Sequence, residues 1–328
     1  MPALAKSVRT GSIANGEKVT SSRPSVTAAR TAPEFMLRIL YFFMLPFIFT
    51  ALMKKMFFFL AALALFIGDS ITAAGATVDT VVTYSAAMKK NIKAVVVKPD
   101  NYAKAKELPV VYLLHGYSDN YAAWITKAPV IAHYADQYNV IIVCPDGGFS
   151  SWYFDSPVDS TFKYETYVSK ELVQWTDEHF KTIRNRNGRA ITGLSMGGHG
   201  ALYLAFKHQD VFGAAGSMSG GVDFRPFPLN WDIAKRLGNY SDQPERWDAN
   251  TVINCTHLLI PNSLAIIIDC GTGDFFYKVN CSLHEKLAYN NIPHDFITRP
   301  GKHDWEYWNN AIGYQLLFMS NYFTHAVK

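Results

Sequence analysis

Residues 193–197 read Gly-Leu-Ser-Met-Gly, a serine with glycines two places before it and two places after. A serine hydroxyl is a weak nucleophile at neutral pH. It becomes reactive when it projects from a sharp strand-to-helix bend where a histidine can take its proton, and small residues on either side permit that bend. The flanks have the required character: residues 190–192 (Ala-Ile-Thr) form a short apolar run, and residues 200–206 (Gly-Ala-Leu-Tyr-Leu-Ala-Phe) are compatible with a helix. The segment predicts strand, elbow and helix, with Ser195 at the apex.

The rest of the chain agrees with such a setting. Apolar runs at 92–97, 108–114, 140–144, 189–192, 213–218 and 264–269 are expected as buried strands, and amphipathic stretches at 122–137, 164–180, 196–207, 280–290 and 305–323 as helices. This alternation predicts an α/β fold, a mostly parallel sheet with helices on both faces, whose active site lies at the carboxyl ends of the strands. Residues 220–261, rich in Phe, Pro, Trp and Asn, do not fit the alternation. They are either an inserted cap or substrate-facing segment, or a surface excursion with its own small apolar cluster.

The N-terminus is organised differently. Met53-Lys54-Lys55, an apolar run over 56–67 and Ala74-Gly75-Ala76 form the basic, apolar and small-residue regions of an export signal, with cleavage expected after Ala76. Residues 1–52 carry a second apolar stretch and an aperiodic Ser/Thr/Ala/Arg-rich segment, and are expected to be an over-extended reading frame; a retained membrane anchor is the alternative. The catalytic domain is expected over 77–328. Removing residues 1–76 takes away eight Lys/Arg and three Asp/Glu, leaving 23 positive and 24 negative side chains, so the basic balance belongs to the leader. The remaining chain has no basic patch that argues for nucleic acid. At 49% hydrophobic and 18% charged residues, the full 328-residue chain is not composed like a multi-span membrane protein. The four cysteines, 144, 255, 270 and 281, lack the spacing of a zinc site; Cys255 and Cys281 are candidates for a disulfide, while Cys144 and Cys270 fall in strand-like runs.

A serine nucleophile on this architecture is followed in the chain by a carboxylate and then by a histidine. His303, in a Pro/Gly loop just before a helix, is the expected base; His284, His294 and His325 fall in a helical pattern, before a strand and at the chain end. Asp274, which follows the glycines of Cys-Gly-Thr-Gly-Asp, is expected as the acid in preference to Asp269 at the strand end. Oxyanion donors are expected from the amides of Met196 and of Tyr117, the latter in the loop after residues 108–114; His115 in that loop is read as structural. Trp152, Tyr153, Phe275 and Trp305 are candidates for lining an acyl or sugar site. No metal or cofactor is called for.

Leu-Leu-His115-Gly-Tyr117, Ser151-Trp-Tyr-Phe-Asp155-Ser-Pro157, Tyr164-Glu165, Gly-Leu-Ser195-Met-Gly-Gly, Cys-Gly-Thr-Gly-Asp274-Phe and His303-Asp-Trp-Glu-Tyr-Trp308 together resemble the esterase D family of α/β-hydrolases over about residues 85–323. That family contains feruloyl and acetyl-xylan esterases, short-chain carboxylesterases, S-formylglutathione hydrolases and mycolyltransferases. The resemblance implies Ser195, Asp274 and His303 as the triad, with Tyr117 and Met196 as oxyanion donors. The chain departs from the His-Ser-Met and Ser-Tyr-Tyr runs usual in the S-formylglutathione hydrolases, and it carries an export pattern. Both differences favour a secreted esterase of hydroxycinnamoyl, acetyl or short-chain esters over a cytosolic glutathione-ester hydrolase. Hydrolase and acyltransferase remain alternatives at this level.

Overall fold

The computed structural model describes residues 75–326 and, upstream, residues 47, 49, 50 and 52–59, the upstream ones all helical. Two compact units divide the chain, Met1–Thr72 and Ala73–Lys328, and the whole sheet lies in the second. Residues 1–46 and 60–74, and with them most of the expected leader and signal, are outside the described residues. Among the described residues no helix is long and apolar enough to cross a membrane.

Eight strands form one sheet: β1 (Thr77–Ser85), β2 (Lys90–Lys98), β3 (Val110–Leu114), β4 (Ile141–Pro145), β5 (Arg189–Gly193), β6 (Ala214–Met218), β7 (Ala265–Gly271) and β8 (Asp295–Arg299). Their spatial order is β1-β2-β4-β3-β5-β6-β7-β8, with β2 antiparallel to both neighbours and every later pairing parallel. The central strands are short and buried on both faces, which is why they read as unbroken apolar runs. Within β3, Val110, Tyr112 and Leu114 point into one core and Val111 and Leu113 into the other. The first core is covered by α3 (Leu172–His179), α4 (Met196–Lys207) and α7 (Tyr277–Tyr289), the second by α2 (Val130–Tyr138) and α8 (Trp305–Ala326).

Five details differ from the expectations. The helix expected over 122–137 is two, α1 (Ala123–Lys127) and α2, because Pro129 caps the second and cannot continue the first. A π-turn, Tyr167–Glu171, interrupts the one expected over 164–180. Strand β1 was not expected; it is the sheet edge, its outward Val78, Val82 and Tyr84 are exposed, and it reads as an alternation rather than a buried run. Residues 220–261 are not an isolated surface cluster. Val222 and Phe224, then Ile233 and Leu237 of α5 (Ile233–Leu237), Trp247 of α6 (Pro244–Asn250) and Val252 of the 3-10 turn Val252–Leu258 enter the first core. All four cysteines are free thiols, and Cys255 is buried with its sulfur directed at the Ala249 carbonyl instead of at Cys281.

Candidate active site

Between β5 and α4 the chain turns at Ser195, whose φ of 55° and ψ of −115° are unfavourable for a residue with a side chain. Hydrogen bonds hold the bend from both sides: Ser195 N donates to Met218 O (2.9 Å), and Gly197 N to Leu194 O (2.7 Å). The flanking glycines are required by packing. A Cβ on Gly193 would lie 2.7 Å from Leu114 O, and one on Gly197 2.5 Å from the same atom. The end of β3 therefore lies directly against the elbow, and the first turn of α4 directs its partial positive charge toward Ser195.

Asp274 and His303 come from loops that are tied to each other. Thr272 N donates to Arg299 O and Gly273 N to Gly301 O, both at 2.9 Å, fixing the turn after β7 to the turn after β8. The result is one hydrogen-bonded chain: His303 Nδ1 lies 2.8 Å from Asp274 Oδ2, and His303 Nε2 lies 2.8 Å from Ser195 Oγ. Asp274 Oδ1 accepts from Phe276 N at 2.8 Å. An ionised carboxylate only accepts, so Nδ1 carries the imidazole proton and Nε2 is left to accept from the serine hydroxyl.

Asp269 is placed elsewhere. It is fully buried, accepts from Arg299 Nη2 (2.8 Å) and from the Tyr307 hydroxyl, and has no contact with His303. Burial pushes its carboxyl above the usual range, against the opposing effect of Tyr307 and Arg299. It braces the β7 end against the start of α8.

On the other side of Ser195, a Cβ on Gly116 would lie 3.5 Å from Ser195 Cβ, so the β3 loop passes beside the nucleophile. Ser118 N donates to Phe149 O (2.8 Å) and Asp119 N to Gly116 O (3.3 Å). Among the described residues no backbone acceptor is recorded for Tyr117 N, and Met196 N, as the first amide of its helix, has no carbonyl within the helix to bond. His115 is buried; one ring nitrogen, Nδ1, bonds Gly116 O (2.8 Å), and Nε2 accepts from Gly147 N (2.7 Å), so its imidazole links two loops.

The four aromatic candidates separate. Trp152 and Tyr153 are buried, at 1% and 0% exposure, and line no open site. Trp152 packs among His199, Phe224 and Trp231. Tyr153 lies where Cβ atoms of Gly147 and Gly200 would be, and its hydroxyl donates to His115 O (3.1 Å). Trp305 is half-buried against Trp124 and Trp308, on the α1 side. Only Phe275 borders the site, 49% exposed with its ring centroid 4.2 Å from that of His303. Sequence reasoning did not single out Trp231, whose ring is stacked on Phe275 (5.7 Å, 18°), or Phe149, 57% exposed and edge-on to Tyr117 (4.9 Å). Trp231 sits in the irregular 220–261 stretch, where no periodicity marks a site residue. Among the described residues no cluster of three His, Cys, Asp or Glu side chains could hold a metal ion.

A parallel sheet with a strained serine elbow and adjacent imidazole and carboxylate is the arrangement of an α/β-hydrolase. Residues 85–319 match the family described as "Putative esterase", and the chain belongs to that family. It is similar to an acetyl esterase of Caldicellulosiruptor saccharolyticus, 27% identical over 259 residues that span 72% of this chain and 96% of the relative. It is also similar to the diacylglycerol acyltransferase/mycolyltransferase Ag85B of Mycobacterium leprae, 30% identical over 61% of this chain and 72% of the relative. A solved ferulic acid esterase superposes with a TM-score of 0.67 at 28% identity, covering 76% of this chain and 99% of that one. The protein is a carboxylic ester hydrolase.

Proposed function

We propose that this protein is an exported serine carboxylesterase that cleaves hydroxycinnamoyl (feruloyl) or acetyl esters of plant polysaccharide, and short-chain esters, through an acyl-enzyme on Ser195. The observation that carries the reading is the unbroken chain from Asp274 through His303 to Ser195. As Ser195 Oγ attacks the ester carbonyl, His303 Nε2 takes its proton and Asp274 stabilises the imidazolium. The oxyanion of the tetrahedral intermediate is received by the Met196 and Tyr117 amides. His303 then returns its proton to the departing alcohol oxygen, and water, deprotonated at the same Nε2, attacks the acyl-enzyme and frees Ser195. Export is supported by the signal pattern ending at Ala76. The carbohydrate-ester substrate class is supported by the acetyl and ferulic acid esterase relatives and by the exposed Phe275 beside His303.

The test is a hydrolysis panel of methyl ferulate, acetylated xylan, 4-nitrophenyl acetate to octanoate and S-formylglutathione, with and without a sugar acceptor. Methyl ferulate and short 4-nitrophenyl esters are expected to turn over, with activity falling beyond about eight acyl carbons, as expected of a compact esterase. Untouched methyl ferulate alongside rapid acetate cleavage removes the feruloyl assignment. Acyl transfer to the sugar in preference to water makes the protein a transferase.

A further inference from the structure

We infer that the stacked pair of Trp231 and Phe275 beside His303 is the subsite for the alcohol half of the ester, packing against a sugar ring, and that buried Trp152 is the positioning residue that holds it in place. The inference rests on the reading of His303 as proton donor to the leaving group. In the tetrahedral intermediate the carbonyl oxygen points toward the Met196 and Tyr117 amides, while the leaving oxygen must lie within reach of His303 Nε2. A surface continuous with the His303 ring therefore runs beside the alcohol, not beside the oxyanion. The Phe275 ring, 49% exposed, tilts 38° over that imidazole at 4.2 Å, and half-buried Trp231 is stacked on Phe275 at 5.7 Å. Half-buried Tyr117, edge-on to exposed Phe149, belongs to the oxyanion side, since Tyr117 is in the β3 loop itself. Next to Trp231 in the chain, Asp232 forms an ion pair with Lys235 (3.0 Å), polar groups of the kind a sugar's hydroxyls require.

Backbone strain points to the same segment. Trp231 and Asp232 are consecutive residues with φ of 52° and 58°, and Trp152 and Tyr153 are a second such pair, at 53° and 60°. Large side chains in this region persist only where the surroundings over-determine them, and such strain collects at functional sites. The two strained pairs are joined by one hydrogen bond, from Trp152 Nε1 to Trp231 O (3.1 Å). Trp152 is 1% exposed and has no path to substrate, so its effect on binding passes through Trp231.

The experiment compares kcat/KM for ethyl acetate, 2-cyclohexylethyl acetate (ring on the alcohol) and ethyl 3-cyclohexylpropanoate (ring on the acyl group). In Trp231→Ala the preference for 2-cyclohexylethyl acetate over ethyl acetate should fall about threefold to tenfold, the range expected for loss of one aromatic face contact. The preference for ethyl 3-cyclohexylpropanoate over ethyl acetate should not move. Trp231→Phe, which keeps a flat ring, should restore most of the alcohol-side preference. Trp152→Phe keeps the buried ring but lacks the Nε1 donor, and should lower the same preference through KM with kcat for that ester retained. A loss confined to the acyl-ring ester, or equal across the three esters, overturns the subsite. If Trp231→Ala does not fold, Trp152→Phe decides the matter by the same ratios. Wild-type turnover rates retained in His303→Ala would instead overturn the underlying reading of the triad, so the two failures are distinct.

Discussion

Asp274→Asn isolates the role of the carboxylate because the hydrogen bonds already in place dictate how the new amide must sit. Phe276 N donates to Oδ1, so the asparagine carbonyl stays there and its NH2 takes the position of Oδ2, 2.8 Å from His303 Nδ1. Two donors cannot face each other. His303 must then leave Nδ1 bare and carry its proton on Nε2, where it can no longer accept from the Ser195 hydroxyl. A wrong tautomer of this kind costs about ten-thousandfold in turnover, or about 5 kcal/mol of barrier, with geometry otherwise intact. Asp269→Asn can turn its amide oxygen to Arg299 and donate its NH2 to the Tyr307 hydroxyl oxygen, so that it loses the charge of the ion pair but leaves no donor facing a donor; turnover should stay within about tenfold of wild type while Tm falls by a few degrees. The assay is kcat/KM on 4-nitrophenyl acetate with a thermal melt of each variant. If both variants are folded and Asp269→Asn is the slower enzyme, the carboxylate assignment is wrong.

Ser195→Ala and His303→Ala should each lower kcat at least about a thousandfold without lowering Tm, and the double variant should be little worse than either, as expected of residues acting as a unit; multiplicative losses would show that they act separately. A chain beginning at Thr77, the first residue of β1, should be soluble and fully active, since the sheet lies in the unit after residue 72; aggregation or lost activity would place a packing role upstream. Glu165 is expected to titrate as a stability group. Burial alone would raise its carboxyl, but His208, Lys207 and Tyr203 outweigh that and hold it at about 2, below its ordinary 4.5. With the folded value below the unfolded one, the stabilisation is complete above about 4.5 and is lost as pH falls toward about 2. Glu165→Gln should therefore be destabilised on the order of 2 kcal/mol near neutrality, after allowance for the partly exposed Lys207. Denaturant melts should show the gap closing across that acid window, and a gap independent of pH would refute it.

The elbow and the two loop residues that follow it in the chain could be read from sequence because each depends on local chemistry: glycines beside Ser195, glycines before Asp274, and a Pro/Gly turn before His303. The central strands were legible for a related reason, since burial on both faces leaves an unbroken apolar run. β1 was not, because an edge strand exposes one face and hides its register in an ordinary alternation. The aromatic assignments failed at Trp152 and Tyr153 because their burial is decided by residues far away in sequence, Gly200 and Phe224 among them. Trp231 was missed for the converse reason. It is brought to Phe275 by a left-handed backbone that nothing in Pro-Leu-Asn-Trp-Asp announces.

Tyr153 has a consequence for engineering. Its ring occupies the space that a Cβ would need at Gly147, 2.4 Å away, and at Gly200, 2.3 Å away, while its hydroxyl is bonded to His115 O. One side chain thus keys together the loops after β3 and β4 and the nucleophile helix. A chimera that imported any one of these segments from a relative with a different residue at a keyed position would collide or leave a void beside Ser195. The three segments and residue 153 behave as a single transplantable cassette, and altered specificity is more readily sought at the half-buried Trp231 than by exchanging the 220–261 stretch, whose Phe224 and Trp247 share a core with Tyr153.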